Sequence, residues 1–171
     1  MDHSSEKKIQ VKALNNSDGG AAAKLILAIQ RDEFGVDITL ADQPDLQDIE
    51  GFYHGSGGTF LGAFAGDELI GTIALIGIGH HSGAIRKMFV KEAFRGKVIG
   101  AAQLLLDELI RFCEKQQIRT VYLGTISRFT AAMRFYERNG FYQVDAAALP
   151  EYFPRMKLDH IFYRRDTGTV L

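Results

Sequence analysis

Apolar and polar positions first alternate at Ile9, Val11 and Ala13, the period-2 pattern of a half-buried strand, after a polar stretch from Met1 to Lys8. Asn15, Asn16, Ser17 and Asp18 then offer side-chain oxygens that cap a helix, and Ala22, Leu25, Ile26 and Ile29 follow at helical spacing. A first helix is predicted to run to about Glu33. Residues 34–43 read as a loop, and Pro44 sits where a first helical turn tolerates it, ahead of Leu46, Ile49 and Phe52. Residues 59–65 and 69–78 are strand-like, and the Gly66-Asp67-Glu68 link between them is short enough to make a hairpin. After a turn at His80-His81-Ser82-Gly83, residues 84–90 alternate Ile85, Lys87 and Phe89 against Ala84, Arg86, Met88 and Val90, which predicts a fourth strand with two distinct faces.

The clearest helix covers residues 100–116, where Ala102, Leu105, Leu106, Leu109, Phe112 and Cys113 form one stripe opposite Gln103, Asp107, Arg111 and Lys115. Strands at 120–126, 141–144 and 158–164 and a short helix at 129–138, closed by Asn139-Gly140, complete the pattern. Strands and helices interleave, yet the hairpin at Gly66 makes part of the sheet antiparallel. The expected class is therefore α/β, with a mixed, mostly antiparallel central sheet flanked by helices, in one domain over residues 1–171.

Composition narrows the function classes. Lys and Arg number 20 against 21 Asp and Glu, so a net charge of -1 supplies no global field toward nucleic acid or anionic lipid, and neither is expected as a partner. Cys113 is the only cysteine and cannot form an internal disulfide, which fits a cytoplasmic protein. The longest apolar run, 69–79, falls short of the roughly 20 residues of a membrane-spanning helix, and no charged-then-apolar leader opens the chain. The histidines show no paired ligand spacing, so no metal is expected; His80 and His81 would point to opposite faces of an extended chain.

Candidate chemistry concentrates where the fourth strand passes into the long helix. Gly96 and Gly100 let backbone N–H groups approach a ligand, the amides at the helix start are unpaired, the dipole favours an anion, and Lys91, Arg95 and Lys97 add cations. The Gly-Lys-Ser/Thr of a phosphate loop and the three-glycine dinucleotide fingerprint are absent. Downstream, Ala132, Tyr136, Gly140 and Phe141 stand in the order A-x-x-x-Y-x-x-x-G-F. In order and separation these segments resemble the GNAT superfamily of acetyl-CoA-dependent N-acetyltransferases, most closely over residues 69–144.

The resemblance implies acetyl-CoA as acyl donor, bound where strands four and five splay apart, with its pantetheine arm along the backbone of Met88 and Val90. The family's diphosphate turn falls on Arg95, Gly96, Lys97, Val98, Ile99 and Gly100, leading into Ala101. Val98 replaces a usual glycine, so its side chain must point away from the diphosphate; Phe129 replaces an asparagine that in many relatives reaches the cofactor arm. Tyr136 matches the position that protonates the departing thiolate, a role that suits a phenol of ordinary pKa about 10. No general base carries over, because Gly83, Ala84 and Ile85 stand where the family often has a glutamate. Asp32, Glu33 and Asp37 follow the first helix, in a region that commonly helps form the acceptor pocket.

The implied activity is direct acetyl transfer, in a ternary complex, to a primary amine of a small molecule or peptide. Two alternatives stand beside it: a coenzyme A-binding module without catalysis, and an interaction domain, including a homodimer, that uses the apolar tail over residues 149–163 as its contact surface.

Overall fold

The computed structural model describes residues 8–167 and builds them on one seven-stranded sheet in the order β1-β2-β3-β4-β5-β7-β6. Residues 1–7 of the polar leading stretch lie outside that range. The strands are β1 (Ile9–Ala13), β2 (Thr59–Ala65), β3 (Glu68–Gly79), β4 (Ser82–Val90), β5 (Thr120–Thr125), β6 (Tyr142–Val144) and β7 (Ile161–Asp166). Every neighbouring pair is antiparallel except β4 with β5, so the mixed sheet expected from the hairpin at Gly66 is the one observed.

Helix α3 (Ala101–Lys115) lies across one face, burying Leu105, Leu106, Leu109 and Cys113 against Ile73, Leu75, Val121 and Leu123. Each such leucine contributes about 1.5–3 kcal/mol by leaving water. Helix α4 (Thr130–Arg138) joins the same face through Tyr136. The opposite face is covered by α1 (Gly19–Leu27) and α2 (Ile49–Phe52), which bury Leu25, Ile26 and Ile49 on Phe60 and Ala74. A third cluster on that face joins Ala84, Tyr122, Phe153 and Phe162. In the tail after β6, Phe153 packs edge-on against Tyr122 and Phe162 of the sheet, while Tyr152 and Leu158 stay exposed.

Three local features depart from the pattern read along the chain. The first helix does not remain α-helical to Glu33; residues Ala28–Glu33 widen into π-helical turns, and both Ile29 and Gln30 become buried. His80 and His81 are not extended: both adopt positive φ, 55° and 54°, in the β3–β4 turn. His80 stacks on Tyr152 and His81 meets the Gln117 carbonyl, so they do not project to opposite faces of a strand.

The third departure lies in β4. Thr72 pairs with Phe89 and Ala74 with Arg86, so β4 carries one residue more than β3 over this step. Lys87 takes φ 55° within that bulge, and its carbonyl accepts from Thr72 Oγ1 at 2.6 Å. The extra residue resets the alternation: Ile85, Met88 and Val90 all pack on the α3 side, while Phe89 packs on the α1 side. The strict two-face pattern predicted for residues 84–90 therefore holds only up to the bulge.

Candidate active site

Strand β4 runs to Val90 and β5 to Thr125, but their pairing covers only Ser82–Ile85 against Thr120–Leu123. Beyond Ile85 and Leu123 the two strands are unpaired, and the bulge at Lys87 falls immediately after this divergence. The edge that opens carries Met88, which has no register partner on β3, and Val90, whose carbonyl accepts from Arg95 Nε at 2.7 Å. A ligand arm using both backbones would share the Val90 carbonyl with that arginine or displace it.

The turn that follows is built for an approaching anion. Gly96 and Gly100 hold φ of 104° and 71°, conformations that side-chain-bearing residues rarely adopt, and the Gly100 N–H closes the turn on the Gly96 carbonyl at 3.0 Å. No side chain caps the first turn of α3, which leaves its amides available. The Val98 side chain is fully exposed, at 101% of its reference area, and packs against no neighbour. The cations are less convergent than the sequence suggested. Lys91 pairs with Glu68 at 2.8 Å, and Arg95 forks onto Glu33 through both terminal nitrogens. Lys97 is the cation of the turn without a hydrogen bond or ion pair among the described residues.

On the α3 side of the divergence stands Tyr136, nearly buried at 5% exposure among Phe135, Phe141 and Tyr163. Its hydroxyl has no hydrogen-bond partner among the described residues, yet no fully buried side-chain polar atom there lacks one. The oxygen therefore keeps contact with open space while the ring packs. Burial pushes its pKa well above the usual phenol range, with a smaller push from Asp159, so the group stays protonated at neutral pH. Phe129 has no polar role: it meets Phe34 edge-on at 5.0 Å and Phe89 at 5.9 Å, joining the first helix, β4 and the start of α4.

On the opposite face the loop after the first helix is held down twice. Arg128 donates to the carbonyls of Phe34 and Gly35. Lys87 Nζ, buried, donates to Gln43 Oε1 and lies 3.6 Å from Asp45 Oδ2, which also accepts from the Tyr53 hydroxyl. Burial lowers the Lys87 pKa, and Asp45 opposes that shift. Of the three acids expected near the acceptor, Glu33 is committed to Arg95, Asp32 faces solvent, and Asp37 lines a cleft of about 380 Å³ with Val36, Ile126, Ser127, Arg128, Leu158 and His160.

Two groups of the site were not visible along the chain. The Lys87–Asp45 pair joins residues 42 positions apart and depends on the bulge. Asp159 falls within a predicted strand over 158–164, whereas β7 begins only at Ile161, which leaves Asp159 in a loop against Gly124 of β5. No spacing signal marks either one. Cys113 is packing, as its place on the apolar stripe suggested; burial pushes its thiol up to about 12. No group of three or more His, Cys, Asp or Glu placed to hold a metal occurs among the described residues.

The acetyltransferase (GNAT) family model matches residues 24–141. An acetyltransferase of the GNAT family from Staphylococcus aureus Mu50 is 38% identical in sequence, with a TM-score of 0.90 over 94% of this chain and 99% of that one. The chain belongs to the GNAT acetyltransferase family. An acetyltransferase from Streptococcus agalactiae is 24% identical and shares the fold with a TM-score of 0.87, covering 92% of this chain and 98% of its own. The PaiA N-acetyltransferase of Thermoplasma acidophilum, solved in complex with coenzyme A, shares it at 18% identity and a TM-score of 0.69, covering 93% of this chain and 99% of its own. A search of curated proteins finds no significant match.

Proposed function

We propose that the protein moves an acetyl group from acetyl-CoA to a primary amine of a small molecule or peptide, by direct attack while both are bound. The observation that carries this reading is the divergence of β4 from β5 directly after Ile85 and Leu123, flanked by the uncapped α3 turn and by a Tyr136 hydroxyl that no group among the described residues engages. The pantetheine arm extends β4 along Met88 and Val90. The diphosphate rests on the amides of the turn from Gly96 to Ala101, with Lys97 and, once it leaves Glu33, Arg95 adding charge-assisted contacts.

The amine nitrogen attacks the thioester carbonyl carbon, the carbon–sulfur bond breaks with its electron pair on sulfur, and the Tyr136 O–H protonates that thiolate. The cleft beside Asp37 admits the acceptor. Two measurements test the reading together: the melting temperature with and without millimolar coenzyme A, and thiol release from acetyl-CoA across a panel of primary amines. Stabilisation by several degrees with amine-dependent release is expected. An unchanged melting temperature at saturating ligand overturns the reading.

A further inference from the structure

Acetyl transfer to an amine needs a group that takes a proton from the ammonium: Tyr136 serves sulfur, Glu33 neutralises Arg95, Asp37 and His160 line the outer cleft, and the start of β4 carries only Gly83, Ala84 and Ile85. One carboxylate sits where that proton would have to go. We propose that Asp159 receives the acceptor's ammonium group and acts as its general base, an inference that rests on the acetyl-transfer reading above.

The placement is specific. Gly124 is the first residue of β5 beyond the last one paired with β4, and a Cβ built on it would lie 2.5 Å from Asp159 Oδ2. The carboxylate therefore lies directly on the strand backbone at the point of divergence. Side chains alternate along β5: Val121 and Leu123 belong to the α3 face, Tyr122 to the opposite one, and the Gly124 position shares the face of Tyr122. Tyr136 approaches the divergence from the α3 side and Asp159 from the other side. A thioester between the strands would thus have its sulfur acid on one side and an amine acceptor's base on the other, so that the two proton transfers are served by separate groups.

Asp159 is also uncommitted. Its carboxylate makes no hydrogen bond or ion pair among the described residues, and its oxygens are not fully buried. The charged groups around it are engaged elsewhere: Arg86 donates to the Pro154 carbonyl, Lys87 to Gln43, Arg155 lies over the Phe162 ring, and His160 accepts from the Ser127 N–H. Burial raises the Asp159 pKa, with Arg86, His160, Lys87 and Arg155 opposing it, which moves a carboxylate toward a useful base.

The protons balance. The ammonium gives one proton to Asp159, which passes it to solvent; the neutral nitrogen forms the new N–C bond as C–S breaks. Tyr136 protonates sulfur, and the second nitrogen proton, lost as the adduct collapses, restores the phenol. The net reaction turns an ammonium and acetyl-CoA into an acetamide, free coenzyme A thiol and one proton.

The test compares wild type, Asp159→Asn and Gly124→Ala, whose added Cβ crowds the carboxylate. Coenzyme A-saturated protein is titrated with n-propylammonium chloride by NMR at pH 7, and thiol release from acetyl-CoA with primary alkylamines is followed from pH 6 to 10. Expected for Asp159→Asn are at least tenfold weaker ammonium binding and a rate about 10²-fold lower at pH 7, recovering as pH rises toward the pKa of the free amine. Gly124→Ala should show a smaller loss of the same kind. Ammonium affinity and rate within twofold of wild type overturn the assignment. So does a lowered rate with the wild-type pH profile, which marks a structural role, and so does a wild type that binds coenzyme A yet neither binds the ammonium nor releases thiol with any amine. Absence of stabilisation by coenzyme A overturns the parent reading itself, so the two failures are told apart by the melting curve.

Discussion

Arg95 reaches back 62 residues to clasp Glu33 through both terminal nitrogens while its Nε holds the Val90 carbonyl. One side chain thereby ties the end of the first helix to the end of β4, at the edge where a pantetheine arm would lie. On the proposed reading, coenzyme A competes with Glu33 for Arg95. Glu33→Gln should therefore tighten coenzyme A binding severalfold by releasing the guanidinium, whereas Arg95→Ala should weaken it. Calorimetry that finds equal affinity in both variants and wild type would leave Arg95 as a structural strut.

Lys97 has no partner to leave among the described residues. A charge-assisted contact to a diphosphate is worth about 1.5–3 kcal/mol, so Lys97→Ala should raise the coenzyme A dissociation constant about tenfold or more. Because the side chain is exposed, the melting temperature of the free protein should hardly change.

Tyr136→Phe removes one oxygen that no group among the described residues bonds, and leaves the ring packed on Phe141 and Tyr163. Thermal stability and coenzyme A affinity should stay near wild type, while thiol release falls about 10²-fold, the lower end for loss of a general acid, since a thiolate leaves readily. A drop of several degrees in melting temperature with turnover within twofold would make the hydroxyl structural.

The buried Lys87–Asp45 pair fastens the loop after the first helix to the β4 bulge. Lys87→Met leaves the Asp45 carboxylate buried without its cation, which should destabilise the fold by about 3–5 kcal/mol in urea titration. The double replacement Lys87→Met with Asp45→Asn should recover part of that loss.

Asp159 offers a pH signature in stability. Its folded pKa is raised, so between the unfolded carboxylate value and the folded one the native state binds more protons than the unfolded state, and stability falls as pH rises through that window. Asp159→Asn removes the penalty. The variant should melt above wild type at pH 7 and lose that advantage as pH falls below about 4. A variant that melts below wild type at every pH would mean that the carboxylate stabilises the fold.

The sequence by itself determined the elements and their broad arrangement. The stripe on residues 100–116 can bury only one helix face, the hairpin link at Gly66 admits only antiparallel neighbours, and Gly96 and Gly100 mark the turn before α3 because few other residues accept positive φ there. These are local constraints, set by neighbours a few residues apart. The tertiary structure decided what depends on distant partners. The bulge at Lys87 exists only relative to the register of β3, and it turned Lys87 inward to Asp45 and put Met88 and Val90 on the face of Ile85. The basic residues around the α3 turn formed one cluster in sequence, but Glu68 and Glu33, both remote in the chain, hold two of them. Asp159 looked like one more position of a strand; only the later start of β7 and the absence of a side chain on Gly124 bring its carboxylate to the gap between β4 and β5. Periodicity reports which side of an element is buried, but where two elements separate depends on pairings made across the whole chain.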